Sequence, residues 1–449
     1  MTTTIEAPGP PGHFLLGNAT ALKTDMLGSI AAWTREYGDV VRLKLGPVPA
    51  ILFVHHEHLE QLLLSKASSF GPSRLIAGIG KMVFGSGLVT SKGNLWLRRR
   101  RMAAPAFTPK RVEAYSKIMS DAVERHLDRW KDGDTRLLQV DTMHLSLEVV
   151  ARALFGASVE QAETEVTDAV GLLLKGYSKR IKGGLPIPDW VPLPATLEMK
   201  RGVRKLEKIV YEIVEQRRAG QNDESDFLGM LLAARDVEDG KGLDDDAIRD
   251  EVITAVIGGQ ESTALGMGWS IYMLGQHRDV QDRVRAEVLE VIGSRRPTSA
   301  DIMKLKYLPA VLHEVLRLYP PFYTIARDTL EDCQIGDYRV RKGTLVFISP
   351  WATHRRVEYF PDPEAFKPDR WLGTLMKDLP KCAYIPFGGG GHICIGNSFA
   401  LTETMLLIAR LVQRFEVEPD PSYKLEMDPG FSLRAKGGLQ VIVRERKTA

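Results

Sequence analysis

The stretch from Asp244 to about Gln276 constrains this chain more than any other. Asp244, Asp245 and Asp246 follow Gly242, and carboxylates suit a helix start, where they cap free N–H groups and meet the positive end of the macrodipole. The residues beyond them are apolar on nearly every side, so the pattern predicts a helix of more than about eight turns crossing a protein interior. Gln260 and Glu261 interrupt its most apolar part, which argues for a core helix and against a membrane span. Its middle reads Gly258-Gly259-Gln260-Glu261-Ser262-Thr263. Each mid-helix glycine costs about 1 kcal/mol against alanine, so the pair predicts close approach of a ligand.

Composition removes several classes. A net charge of +3 over 449 residues lacks the concentrated basic footprint of a nucleic-acid binder. The densest basic run, Arg98 to Arg101, reads on its own as a solvated helix face. Three scattered cysteines, Cys333, Cys382 and Cys394, make neither a disulfide framework nor a zinc clip and favour a reducing compartment. The N-terminus lacks a charged segment followed by an apolar core, so no secretory signal is expected and the protein is placed in the cytoplasm.

Along the chain, a helix is expected through Ile30, Trp33 and Tyr37, followed by a hairpin turning at Gly46-Pro47. From Glu57 to Gln276 the apolar spacing is mostly helical, with breaks expected at 78–87, 182–194 and 220–225. A shorter helix carries Glu314 and Arg317. Strands follow with turns at Gly336-Asp337 and Lys342-Gly343, and the C-terminus reads as a hairpin turning at Gly437-Gly438.

Between Phe387 and Gly396, four consecutive glycines let the backbone approach something flat without a Cβ in the way. Cys394 follows, and an apolar helix begins just beyond, whose free N–H groups would favour a thiolate. A single cysteine beside a glycine turn is ordinarily an inert buried thiol. Here the surrounding positions decide: Phe387, Gly390, Cys394 and Gly396 fit F-x-x-G-x-x-x-C-x-G, which resembles the haem-binding loop of the cytochrome P450 family. Glu314-x-x-Arg317 with Phe366-x-Pro368-Asp369-Arg370 is similar to that family's Glu–Arg–Arg network. The Gly258 to Thr263 stretch resembles its oxygen-groove motif, and Trp96-x-x-x-Arg100 its propionate-binding pair.

The resemblance runs the length of the chain and implies a mainly helical fold with a small β region: a helix-rich lobe (57–320, 396–415) and a β-rich lobe (39–54, 322–350, 429–445) around a buried haem. It implies one catalytic domain, 1–449. Cys394 would be the iron ligand, and Glu261 and Ser262 the acid–alcohol pair that relays protons to oxygen. Ser262 departs from the family's usual threonine, keeping the hydroxyl but losing the β-branch that restricts χ1. Haem contacts are expected from Leu88, Trp96, Arg100, Gly259 and Arg327, and from Pro386, Phe387, Gly388, His392, Ile395 and Gly396 around the cysteine. Glu314, Arg317 and Arg370 would be structural.

A substrate pocket is expected from Leu75, Val89 and Ala255, then Phe322, Thr324, Ile325 and Leu433. All but Thr324 are apolar, implying a fatty acid, terpenoid or steroid-like substrate. The cofactor is haem b. Because little chain follows the cysteine loop, electrons are expected from NAD(P)H through a separate ferredoxin or flavodoxin and its reductase, docking on Arg98, Arg99 and Arg101. Two other readings remain open at this stage: a peroxide-using or hydroperoxide-rearranging haem-thiolate enzyme, and a non-catalytic haem sensor.

Overall fold

The computed structural model describes residues 5–156, 163–182, 191–219 and 226–446. The long helix spans Asp245–Gln276, capped by the Asp244 side chain, which accepts from Ala247 N at 2.8 Å. It is buried around most of its circumference, from Ala247 to Gly275. Helices Leu138–Phe155, Pro194–Arg218 and Asn397–Arg414 pack against it and share its core. A helix sealed on all sides needs no amphipathic stripe, which is why its sequence shows none.

The β part lies to one side. Val40–Leu45 and Val48–Phe53 form the expected hairpin, with Gly46 at φ +58° in its turn. Leu345–Ile348 joins the second strand in parallel, with Ala50 opposite Leu345. Ile325–Thr329 then pairs antiparallel with it, and Phe70–Pro72 forms the edge. Alternate residues of this sheet, such as Val41, Leu43, Ala50 and Leu52 on one side and Val40, Ile51 and Phe53 on the other, feed two separate apolar clusters.

Two expectations about elements change. The C-terminal arms do not pair with each other. Leu433–Ala435 pairs with Met427–Pro429, while Gln440–Glu445 pairs with Thr135–Leu137 and Phe415–Pro419. Gly437 and Gly438 do turn the chain, with φ +73° and +85°, but they send it into a different sheet. The break expected at 78–87 shrinks, because helix Arg74–Phe84 continues to Phe84 and the chain turns only at Gly85. The other two expected breaks fall largely outside the described residues. Among the described residues no helix is long and apolar enough to cross a membrane.

Candidate functional site

The cysteine loop is held from behind by a buried polar network. Helix Tyr307–Leu318 puts Glu314 and Arg317 on one face, and both are fully buried. Glu314 accepts from Arg317 Nε (2.8 Å) and Nη2 (2.9 Å), Lys367 N (2.8 Å), Arg370 Nε (3.0 Å) and Trp371 Nε1 (2.8 Å). Arg317 donates onward to the carbonyls of His354, Pro363 and Ala365. His354 Nε2 accepts from Ile385 N at 2.8 Å, tying this network to the strand of chain entering the loop. Burial, with Arg317 beside it, pushes His354 down to about 3, so its ring is neutral. The structure thus brings together all three residues expected to be structural, and adds Trp371 and His354.

In the loop itself, Cys394 N donates to Phe387 O at 2.9 Å and Gly388 N to Ile385 O at 3.0 Å. Gly390 sits at φ +65°, and a Cβ there would fall 1.9 Å from Leu63 O, so only glycine fits. Pro386 and Phe387 are half-buried, and Ile395 packs on the main core. The Cys394 side chain is open to a cleft yet enclosed by surrounding protein. That enclosure pushes its thiol up from the ordinary value, while the Gly396 N–H and Arg100 pull it down. The Gly396 N–H at the helix start favours the thiolate, but burial outweighs it; a metal cation bound there would supply the missing stabilisation.

Around the cleft stand Trp96, Arg100, Arg327 and His392. Trp96 and His392 are packed ring on ring at 4.0 Å, and Arg100 Nη1 donates to Ile393 O at 2.7 Å. Arg327 donates to Ala326 O at 3.1 Å, and its burial lowers its affinity for a proton. Among the described residues no carboxylate pairs with Arg100 or Arg327. Burial, with both arginines beside it, holds His392 down to about 4. Half-buried cations without a counterion are costly unless an anion joins them, and a haem's two propionates are such an anion. A Cβ added at Gly258 or Gly396 would meet nothing within 4 Å, and one at Gly388 nothing nearer than 3.8 Å. A single soft sulfur donor, backbone cleared of Cβ atoms and an unpaired cationic rim fit a haem.

On the long helix, Ser262 Oγ donates to Gly258 O at 2.8 Å. Glu261 is buried and tied to Ser432 and Arg434. Gly259 does not face the cleft. A Cβ there would fall 2.9 Å from Val150, and Gly259 O accepts from Ser146 Oγ at 3.1 Å. The expected haem contact at Gly259 is therefore corrected: it lets helix Leu138–Phe155 pack closely, and Gly258 is the glycine on the open side. The two differ by about 100° around the helix, which a motif in one dimension does not resolve.

Of the expected pocket residues, Val89 and Phe322 are exposed and Ala255, Thr324 and Ile325 half-buried, as is the expected haem contact Leu88. Leu88 N also donates to Glu251 Oε2 at 3.3 Å. Leu433 is corrected: it is fully buried in a small core with Leu27 and Tyr323. Its neighbour Phe431 stands edge-on to Phe322 at 5.5 Å instead. Period-2 alternation puts residues 431 and 433 on one side, so no spacing signal in F-S-L-R separates them. The Leu75 side chain lies outside the described residues.

The basic run is also corrected. Arg99 is buried and faces Glu251 Oε1 at 3.7 Å, Arg98 pairs with Asp236 at 3.0 Å, and Arg101 pairs with Glu238 at 2.9 Å. Each of these three arginines is paired with an acid rather than solvated alone. They fasten helix Gly93–Ala103 to the long helix and to the segment just before it.

A helix-rich body, a glycine-cleared cysteine loop and a cationic rim define a haem-thiolate enzyme. The cytochrome P450 family model matches residues 7–442, and the chain belongs to that family. It is 36% identical to cyclooctat-9-en-7-ol 5-monooxygenase of Streptomyces melanosporofaciens, over 94% of this chain and 91% of that one. It is 30% identical to pentalenene oxygenase of Streptomyces avermitilis, over 86% and 85%. The structure of a retinoic acid-bound cyanobacterial CYP120A1 superposes with a TM-score of 0.88 at 27% identity, covering 99% of this chain and all of that one. The protein is a haem-dependent monooxygenase, an oxidoreductase.

Proposed function

We propose that this monooxygenase hydroxylates a terpenoid-like substrate with one atom of O2, taking electrons from NAD(P)H through a separate ferredoxin- or flavodoxin-type protein and its reductase. The whole chain, 1–449, acts as one catalytic unit in the cytoplasm; its three unpaired cysteines suit that compartment. The observation that carries the reading is the convergence at Cys394: a lone thiol in a glycine-rich loop, with Arg100 bonded to the neighbouring Ile393 carbonyl, Arg100 and Arg327 both acting on His392, and no carboxylate among the described residues to pair either arginine. The names of the two relatives support the substrate class.

Cys394 is the sulfur ligand, and Trp96, Arg100, Arg327 and His392 hold the propionates. When bound, the haem supplies O2 activation, with the thiolate favouring O–O cleavage. Ser262, whose hydroxyl hydrogen is donated to Gly258 O, presents its oxygen lone pairs for a proton-carrying water. Glu261, the next residue, is the acid that resupplies it. Ala255, Ile325 and the Phe322–Phe431 pair form an apolar wall that orients the substrate and excludes water.

The test is the carbon monoxide difference spectrum of the reduced protein. Wild type should show the red-shifted thiolate band and Cys394→Ala should lack it; the same band in both would end the proposal. For the substrate, spectral titration with cyclooctat-9-en-7-ol, a long-chain fatty acid and a steroid should give the tightest binding to the first.

A further inference from the structure

The acid assigned to proton delivery is held by the C-terminal strand region. Glu261 Oε1 accepts from Ser432 Oγ and from Arg434 Nη2 and Nε, the last at 3.0 Å. Its Oε2 is buried with no hydrogen-bond partner among the described residues. Arg434 lies in strand Leu433–Ala435 and Ser432 in the bend just before it, and the two side chains reach one carboxylate together.

That segment is itself pinned. Leu433 N donates to Pro321 O at 2.9 Å, Trp269 Nε1 to Leu433 O at 3.2 Å and Tyr323 OH to Gly430 O at 2.7 Å. At its head, Phe431 meets Phe322 edge-on. At its other end Arg434 stands opposite Asp428 in the two-stranded sheet and is 28% exposed. One short piece of chain thus joins the apolar wall, the acid and the solvent edge.

We propose that Arg434 and Ser432 are positioning residues for proton delivery. They fix the Glu261 carboxylate in one orientation beside Ser262 and so set the rate at which it takes a proton from water at the Arg434 edge and passes it on, returning each time to the carboxylate. No bond other than O–H changes at these residues. The inference rests on the haem-thiolate reading above and names which side chains govern its proton step.

The test uses haem-loaded full-length protein, NADPH, and a plant-type ferredoxin with its reductase, without organic substrate. It reads hydrogen peroxide release, which consumes two electrons and two protons per O2, in water and in deuterium oxide. Arg434→Met should slow release about tenfold and enlarge the solvent isotope effect, since a misplaced proton donor costs at least that much. Arg434→Lys should restore most of the rate, and Ser432→Ala should fall between. Wild-type rates and isotope effects in both Arg434→Met and Ser432→Ala would overturn the proposal. So would equal losses in Arg434→Lys and Arg434→Met with an unchanged isotope effect, the mark of packing alone. A wild-type protein without the thiolate band in carbon monoxide would instead overturn the underlying haem-thiolate reading.

Discussion

Glu314 and Glu261 are both buried glutamates on helices, yet their surroundings differ in kind. Both oxygens of Glu314 are filled, by Arg317, Arg370, Trp371 and a backbone N–H. Glu261 concentrates its partners on one oxygen and leaves the other without a hydrogen bond among the described residues. Glu251, nearly three turns earlier on the long helix, is similar: Oε1 accepts no hydrogen bond, with Arg99 at 3.7 Å, and Oε2 accepts a single N–H. A saturated carboxylate can only hold structure, because any movement breaks several bonds in a low-dielectric setting. An undersaturated one keeps capacity for a proton or a water. The carboxylate behind the cysteine is fully satisfied, and those on the long helix are not.

The strongest way to break this contrast is to attack the saturated side. Arg317→Ala leaves Glu314 buried without its main counter-charge and should cost about 3–5 kcal/mol. Thermal unfolding together with the yield of haem-containing protein measures it; a variant that unfolds and binds haem like wild type would show the network to be dispensable.

On the undersaturated side the loss should fall on turnover. Glu261→Gln removes the relayed proton and should lower product formation about 100-fold, while the carbon monoxide band stays in place. Ser262→Thr should keep activity and Ser262→Ala should shift electron use toward peroxide, read as product formed per NADPH consumed.

A smaller effect separates the two regions by pH. Burial raises Glu251 from 4.5 to about 7, against the opposing pull of Arg99. Between those values the folded protein holds a proton that the unfolded chain has released, so this group's contribution to stability falls as pH rises from about 4.5 to 7. His354 has the opposite sign: its folded value is depressed to about 3 from 6.5, so stability is lost as pH falls through that interval. Glu251→Gln should therefore remove a slope of at most about 1.4 kcal/mol per pH unit, seen as a difference in denaturant midpoints against wild type at pH 5 and pH 7. Parallel curves would show that Glu251 does not titrate there.

The smallest effect concerns the arginine run. Arg98→Ala should cost about 1 kcal/mol through the lost Asp236 pair, and the salt dependence of reduction by ferredoxin should not change. A weakened salt dependence would return Arg98 to partner docking.

Much of this site could be read in one dimension. Cys394 and its glycines, the Glu314–Arg317 spacing and the cap at Asp244 are local patterns, and local chemistry dictates them: a helix start needs a side-chain acceptor, and residues three apart share a helix face. The sequence also determined the length and burial of the long helix, because only an interior tolerates so much apolar surface on all sides. Tertiary structure alone decided which of two adjacent glycines faces the cleft, since both satisfy the same motif and only the position of Val150 separates them. It decided that Arg98, Arg99 and Arg101 are tied to acids more than a hundred residues away, and that the C-terminal arms part into different sheets. It also brought Ser432 and Arg434 onto Glu261 across 171 and 173 positions. Contacts at that separation exist only once the chain has closed on itself, and no spacing rule along the sequence encodes them.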